Sequence, residues 1–187
     1  MTSRRKIALL LVDVINSFFD PGEPNYYPGA EDVLPVIATM LRAARQHGHL
    51  VIHAAERHRT FHDDFEWKKL PIHHLEGDPS TDFVTGFEPA GPAEAVIYKR
   101  RYSAFFATDL ALFLHEQNVT HLIIVGVKTN CCIRATVQDA FAHGFTPIVP
   151  REATSSNRPH LAEASLEDIA RYFGEVVSAT EAEKMLG

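Results

Sequence analysis

Six short runs in this chain are almost wholly apolar, and they constrain its fold more than any other feature. They cover residues 7–12, 50–54, 95–98, 121–125, 146–149 and 175–177. A strand with one wet face alternates apolar and polar side chains. A strand covered on both faces reads as a continuous apolar run. Between these runs lie stretches of helical periodicity. Residues 30–47 place Val33, Ile37, Met40, Leu41 and Ala44 on one stripe, and Gly48 follows as a stop. Residues 108–117, 133–143 and 161–173 read as further helices. Buried strands alternating with helices predict a parallel sheet with helices on both faces, a three-layer α/β/α sandwich. The 187 residues suffice for one domain, 1–187, with a full core. Residues 56–92 have no clear period and are rich in His, Asp, Pro and Phe. An irregular segment of that length is usually functional.

Charge and composition narrow the function classes. The net charge of -6 with His neutral lacks the basic footprint that nucleic-acid binding requires. No apolar run reaches the roughly 18 to 20 residues of a membrane span. The basic start, Met1 to Lys6, leads into residues 7–12, but Asp13 interrupts the apolar stretch and no small-residue cleavage site follows. A first core strand is therefore expected there, in a cytoplasmic protein. The two cysteines, Cys131 and Cys132, are adjacent, so they can neither staple the fold nor supply the usual zinc-ligand spacing.

In parallel α/β sheets, ligands bind beyond the carboxyl ends of the strands. Three such ends carry unusual residues: Asp13 after the first run, Lys99 after the third, and residues 126–132 after the fourth. Asp13 is either a turn cap or a base at the rim. Lys99, beside Arg100 and Arg101, is either solvated or part of a site. A thiol where a strand joins a helix N-terminus meets unpaired N–H groups that favour a thiolate or an oxyanion.

Taken together, Leu9-Leu10-Leu11-Val12-Asp13, Val96-Ile97-Tyr98-Lys99-Arg100-Arg101-Tyr102-Ser103-Ala104-Phe105 and residues 124–136, with Gly126-Val127-Lys128-Thr129-Asn130-Cys131-Cys132 at their centre, resemble the three signatures of the isochorismatase-like cysteine hydrolases. The order and spacing hold from about Ile7 onward. The resemblance implies a Rossmann-like parallel sheet of about six strands and an Asp–Lys–Cys triad of Asp13, Lys99 and Cys132, with Cys132 rather than Cys131 as nucleophile. It also implies a non-proline cis bond at Val127–Lys128 and an oxyanion hole from the Lys128 and Cys132 amides. Two positions depart from the family pattern. Ser17 replaces an acid in Asp13-Val14-Ile15-Asn16-Ser17-Phe18, and Lys128 stands where small residues are common.

The activity so implied is hydrolysis of a small amide through a thioester, the substrate being a ureide or carbamoyl-type compound. Phe18, Phe61, Trp67, Tyr102 and Phe105 either wall the substrate pocket or pack the core. Arg134 is either a salt-bridge residue or a carboxylate anchor. Glu56, His58, His62 and His74 partly resemble the metal site of nicotinamidases. Because Glu replaces Asp and the interval to His62 is short, no metal or other cofactor is expected, and a metal-containing nicotinamidase is the alternative. A catalytically silent binding protein is the reading from a different class. The expected partners are the small-molecule amide and further copies of the chain, as a dimer or tetramer, with no nucleic acid or membrane.

Overall fold

The computed structural model describes residues 5–91 and 94–187. Each expected strand forms: β1 (Ile7–Val12), β2 (Leu50–Glu56), β3 (Glu94–Lys99), β4 (His121–Val127), β5 (Thr146–Pro150) and β7 (Glu175–Val177), with a two-residue β6 (Thr154–Ser155) between the last two. All strand pairs are parallel. The order is β3-β2-β1-β4-β5-β7, with β6 paired to β4. The chain thus builds outward from β1 to one edge, then crosses back to lay β4 on the other side of β1. That reversal is the place where α/β sheets open a crevice for ligands.

The apolar runs feed two cores. Leu9 and Leu11 of β1 join one cluster with Ile37, Met40 and Leu41 of α2 (Leu34–Gln46) and with Ala182 and Leu186 of α6 (Ala179–Leu186). Ala8, Leu10 and Val12 join the other. There they meet Leu110 and Leu114 of α3 (Leu110–Glu116), Val137 and Ala140 of α4 (Arg134–Ala142) and Leu166 of α5 (Pro159–Asp168). The period-two alternation of side chains sends neighbouring residues of one strand into opposite layers. This gives the expected three-layer sandwich. A short α1 (Asn16–Phe19) follows β1.

Two features were not expected from the sequence. Helix α6 closes the chain, although its start signal was present: Ser178 Oγ accepts from the Glu181 amide, and the Glu181 carboxylate accepts from the Ser178 amide at 2.8 Å, a capping box. The helix expected from residue 133 instead begins with a π turn, Thr129–Ile133, which carries both cysteines into α4. Gly126, at φ 116, ends β4 against β1, where a Cβ would lie 2.0 Å from the Val12 carbonyl oxygen. Only glycine allows that approach.

Candidate active site

Three neighbouring strands end level with one another, and each ends on a charge. Glu56 pairs in register with Lys99 across β2 and β3. The Asp13 amide, one residue past β1, donates to the Ala54 carbonyl at 2.8 Å. Asp13 adopts φ 55, a left-handed conformation in which Asp is enriched among non-glycine residues. Its Oδ1 accepts from the Glu56 amide at 2.9 Å. The carboxyl edge of the sheet therefore gathers Asp13, Glu56 and Lys99 by register alone.

Lys99 is fully buried, and its ammonium is the hub of the site. Nζ lies 2.8 Å from Asp13 Oδ2, 3.2 Å from Glu56 Oε2 and 3.6 Å from Cys132 Sγ. The contact with Asp13 is a fully buried ion pair. Cys132 Sγ also reaches Glu56 Oε2 at 4.0 Å. Atoms of Asp13, Glu56 and Cys132 all lie within 4.8 Å of one another.

These neighbours divide the charge unequally. Burial works against ionising Glu56, but Lys99 and three imidazoles outweigh it and hold this carboxyl well below the usual range. Burial also disfavours the Lys99 ammonium, yet Asp13, Cys132 and Glu56 push it well above the usual lysine value. For Asp13, burial wins over the attraction of Lys99, and its carboxyl is raised. The Cys132 thiol is pushed up by its interaction with Cys131 and by burial. The site thus rests with Lys99 and Glu56 charged, a neutral Cys132 thiol, and Asp13 as the carboxylate with the greater appetite for a proton. This departs from the expectation that a helix N-terminus would by itself favour the thiolate. At Cys132 the contact with Cys131 and burial both oppose ionisation, while the neighbouring Cys131 thiol is lowered.

A ring of histidines surrounds Glu56. Its Oε1 meets His58 Nε2 at 3.1 Å, His73 Nε2 at 2.9 Å and His74 Nδ1 at 3.2 Å. His58 turns its other nitrogen to Asp64 Oδ2 at 3.0 Å. Burial opposes protonation of His58, but the hydrogen bonds to Glu56 and Asp64 outweigh it and raise its value. Of the four residues weighed as metal ligands, Glu56, His58 and His74 come together. His62 is exposed and outside the cluster, because it lies in the outer turn before Asp64. In its place stands buried Glu66, with both carboxylate oxygens unbonded and its carboxyl raised by burial. Glu56, His58, Glu66 and His73 offer one atom each within 4.8 Å. Two imidazoles and two carboxylates are a donor set that could hold a divalent ion. The sequence alone pointed to His73 only through the run His73-His74-Leu75-Glu76-Gly77, which is similar to nicotinamidases, and not as a ligand; it missed Glu66 and treated Glu56 only as a ligand. The signal for Glu56 was its position: a charge directly ending an apolar strand, like Asp13 and Lys99.

The loop that carries Lys128, Cys131 and Cys132 closes one side of a cavity of about 290 Å³. The Val127–Lys128 bond is cis. Cys132, Lys128, Phe18, Tyr102 and the histidine pair His73–His74 line the space. Phe61 and Trp67 do not line it. Phe61 is 91% exposed on an outer turn. Trp67 lies on the far side of His58, tilted against its ring with centroids 5.8 Å apart. Phe105 is buried in the core between the sheet and α3, so among the five aromatic candidates only Phe18 and Tyr102 face the cavity. Arg134 pairs with Asp168 of α5 at 3.0 Å, a link between two helices.

Known proteins share this architecture. A family model described as the isochorismatase domain matches residues 7–181. The maleamate amidohydrolase of Pseudomonas putida is 38% identical over 187 residues, spanning 97% of this chain and 87% of that protein. The N-carbamoylsarcosine amidase of an Arthrobacter species is 34% identical over 178 residues, spanning 91% of this chain and 67% of that protein. Among solved structures, an isochorismatase-like hydrolase from Alkaliphilus metalliredigens superposes with a TM-score of 0.88 at 28% identity, covering 100% of this chain and 99% of that one.

Proposed function

We propose, for a chain that belongs to the isochorismatase family and is a hydrolase of carbon–nitrogen amide bonds, that Cys132 is the nucleophile, Asp13 the proton carrier and Lys99 the cation that holds them. The observation supporting this reading is the position of Lys99 Nζ between Asp13, Glu56 and the Cys132 sulfur. Asp13 takes the Cys132 thiol proton as sulfur adds to the amide carbonyl. The Lys128 and Cys132 amides hold the oxyanion. Collapse of the adduct breaks the C–N bond, and protonated Asp13 gives its proton to the departing ammonia or amine. A water molecule, deprotonated by Asp13, then cleaves the thioester and releases the acid and the thiol.

The substrate in this reading is a small polar amide. A carbamoyl compound or ureide fits, as does a simple primary amide of similar size. The two relatives named above act on one of each kind. Ammonia release from a panel of ureides, carbamoyl compounds and short primary amides tests it, with protein alkylated at Cys132 as control. Turnover that survives alkylation would sink the nucleophile assignment.

A second reading is favoured by one observation, the buried Glu66 carboxylate without a hydrogen bond, one oxygen of which lies within 4.8 Å of ligand atoms of Glu56, His58 and His73. There a divalent ion bound by Glu56, His58, Glu66 and His73 would help to orient the substrate. The metal-free reading expects chelation to leave the rate unchanged and the purified protein to carry less than about 0.1 metal ion per chain. Stoichiometric metal, lost in Glu66→Gln, would promote the second reading. We also take the chain to self-associate, since Phe61, Phe65 and Ile72 of the irregular segment are each exposed.

A further inference from the structure

The chemistry above uses one of two adjacent thiols and leaves the other without a task. Cys131 and Cys132 follow one another in the π turn, and both line the cavity. The Lys128 carbonyl accepts from the amides of Cys131 and Ile133 at 3.0 and 3.2 Å, which fixes the turn on either side of Cys132. Both thiols are free, and they differ in exposure. Cys132 is 5% exposed, whereas Cys131 is half-buried, packed against the same core cluster that holds Cys132. They differ in ionisation as well. At Cys131 the contact with Cys132, helped by the Lys99 ammonium, outweighs burial and lowers the thiol. The same contact and burial push the Cys132 thiol up. Peroxides react with thiolates rather than thiols, and with thiols that solvent can reach. At rest the buried, neutral Cys132 is thus a poor target for a small oxidant. Its neighbour, more open and more ionised, is the better one, and its sulfur lies against the sulfur that the chemistry needs.

We propose that Cys131 is an oxidation site for hydrogen peroxide, and that its sulfenic acid condenses with Cys132 to a disulfide that switches the enzyme off. The switching rests on the reading of Cys132 as nucleophile; the disulfide does not. One peroxide balances the sequence. The Cys131 sulfur attacks a peroxide oxygen, the O–O bond breaks, and the sulfur is oxidised to a sulfenic acid. The hydroxide that leaves takes up the proton that Cys131 lost on ionising. The Cys132 sulfur then attacks the Cys131 sulfur and the S–O bond breaks. The Cys132 proton, which Asp13 accepts in hydrolysis, ends on the departing hydroxide. The pair of thiols gives up two electrons, and the peroxide leaves as two waters. The ring so closed spans a single peptide bond. Neighbouring Cα atoms lie about 3.8 Å apart, against about 4.4–6.8 Å in ordinary disulfides, so the bond is strained and easily reduced. Such a bond cannot staple a fold, but it suits a reversible block on the nucleophile.

The test treats the parent and Cys131→Ser with hydrogen peroxide and reads two quantities. One is ammonia release from an accepted amide. The other is the mass of the tryptic peptide of residues 129–134, which carries both cysteines. In the parent, activity should fall by about 10-fold or more, and dithiothreitol should restore it. The peptide should become lighter by two hydrogen atoms and resist alkylation until it is reduced. In Cys131→Ser, inactivation should be about 10-fold slower and should end in a sulfinic acid at Cys132 that dithiothreitol does not reverse. Cys131→Ala gives the same reading should the serine variant fold poorly. Inactivation of Cys131→Ser as fast and as reversible as that of the parent would overturn the proposal. So would a parent peptide that gains oxygen on Cys132 and forms no disulfide. A disulfide that forms while ammonia release continues would overturn the switch and the nucleophile assignment together. If no form of the protein cleaves an amide, the peptide mass still decides whether Cys131 is the oxidation site: a disulfide supports it, and its absence refutes it.

Discussion

The two ends of the sheet each bury a glutamate between a cation and a histidine, and they use it differently. At the amino end of β3, Glu94 receives Arg45 through two nitrogens at 2.7 and 3.0 Å, His53 at 2.8 Å and the Ala90 amide at 3.1 Å. Both of its oxygens are saturated by rigid partners, and the cluster ties α2 to the strands. At the carboxyl end, Glu56 is equally crowded, but the group beside it is not saturated. Both oxygens of Glu66 lack hydrogen bonds, and the Cys132 thiol faces a cavity. Buried polar groups are normally satisfied, and leftover capacity marks a site prepared for something the fold does not supply. Glu94 and Glu66 thus differ in saturation, although His53 Nδ1 beside Glu94 is also left without a hydrogen bond.

The largest effect expected from that contrast is on rate. Cys132→Ala and Asp13→Asn should each lower kcat/KM for an accepted amide by about 10⁴-fold, while thermal melting shows a folded protein. Cys131→Ala should stay within about 10-fold of the parent, because Cys131 has no contact with Lys99 like that of Cys132. Comparable losses in both cysteine variants would mean that the π turn, not the sulfur, carries the effect.

Arg45→Met should do the reverse. It leaves Glu94 buried without its bidentate partner, a loss on the order of 2–3 kcal/mol, or roughly 5–10 °C in melting temperature for a chain of this size. The value of kcat/KM should change less than about twofold. A parallel fall in rate and stability would break the division between the two ends, and the sheet would have to transmit strain along its strands.

Much of this architecture was legible in the sequence because burial on both faces leaves a direct mark. The six apolar runs gave six strands in parallel register, and the strand ends gave Asp13 and Lys99. What could not be read was what depends on side chains converging from the irregular segment. Residues 56–92 have no period, so nothing in their order says that His73 and Glu66 turn inward while His62 and Phe61 turn out. Their placement comes from tertiary anchors, such as the His58 amide donating to the His74 carbonyl at 2.8 Å and the Glu76 amide to the His58 carbonyl at 2.8 Å. Glu56 is an intermediate case. Its strand-end position was visible, but its pairing with Lys99 required the register of β2 against β3. The last helix was missed although Ser178 and Glu181 announced it, because its apolar stripe of Ala182 and Leu186 is too short to show a period.

The smallest expected effect sharpens the comparison through pH. Glu94 is only slightly exposed. Burial raises its carboxyl, but Arg45, His53 and the Ala90 amide outweigh this and hold it at about 2, below its ordinary 4.5. A group depressed on folding contributes stability that is fully present above its unfolded value and is lost as pH falls from about 4.5 toward 2. The contribution is about 1–2 kcal/mol, below the limit of ~1.4 kcal/mol per unit because the cluster is partly solvated. Glu94→Gln should therefore be less stable than the parent at pH 7, with the gap closing in acid. Asp13 has the opposite sign. Its carboxyl is raised on folding, so its ionised form costs stability at neutral pH, and that cost is relieved as pH falls through its folded value. Asp13→Asn should be at least as stable as the parent at pH 7, with its advantage shrinking in acid. Glu56, held low, acts like Glu94, while Asp13 shares its inverted response with Glu66, which burial also raises. Urea unfolding at pH 7, 5, 4 and 3 for the parent and both variants reads the two signs directly. If both variants move the same way relative to the parent, Asp13 is stabilised as an anion in the folded protein. It would then be a poor acceptor for the Cys132 proton, and Glu56, 4.0 Å from the sulfur, would have to take that part.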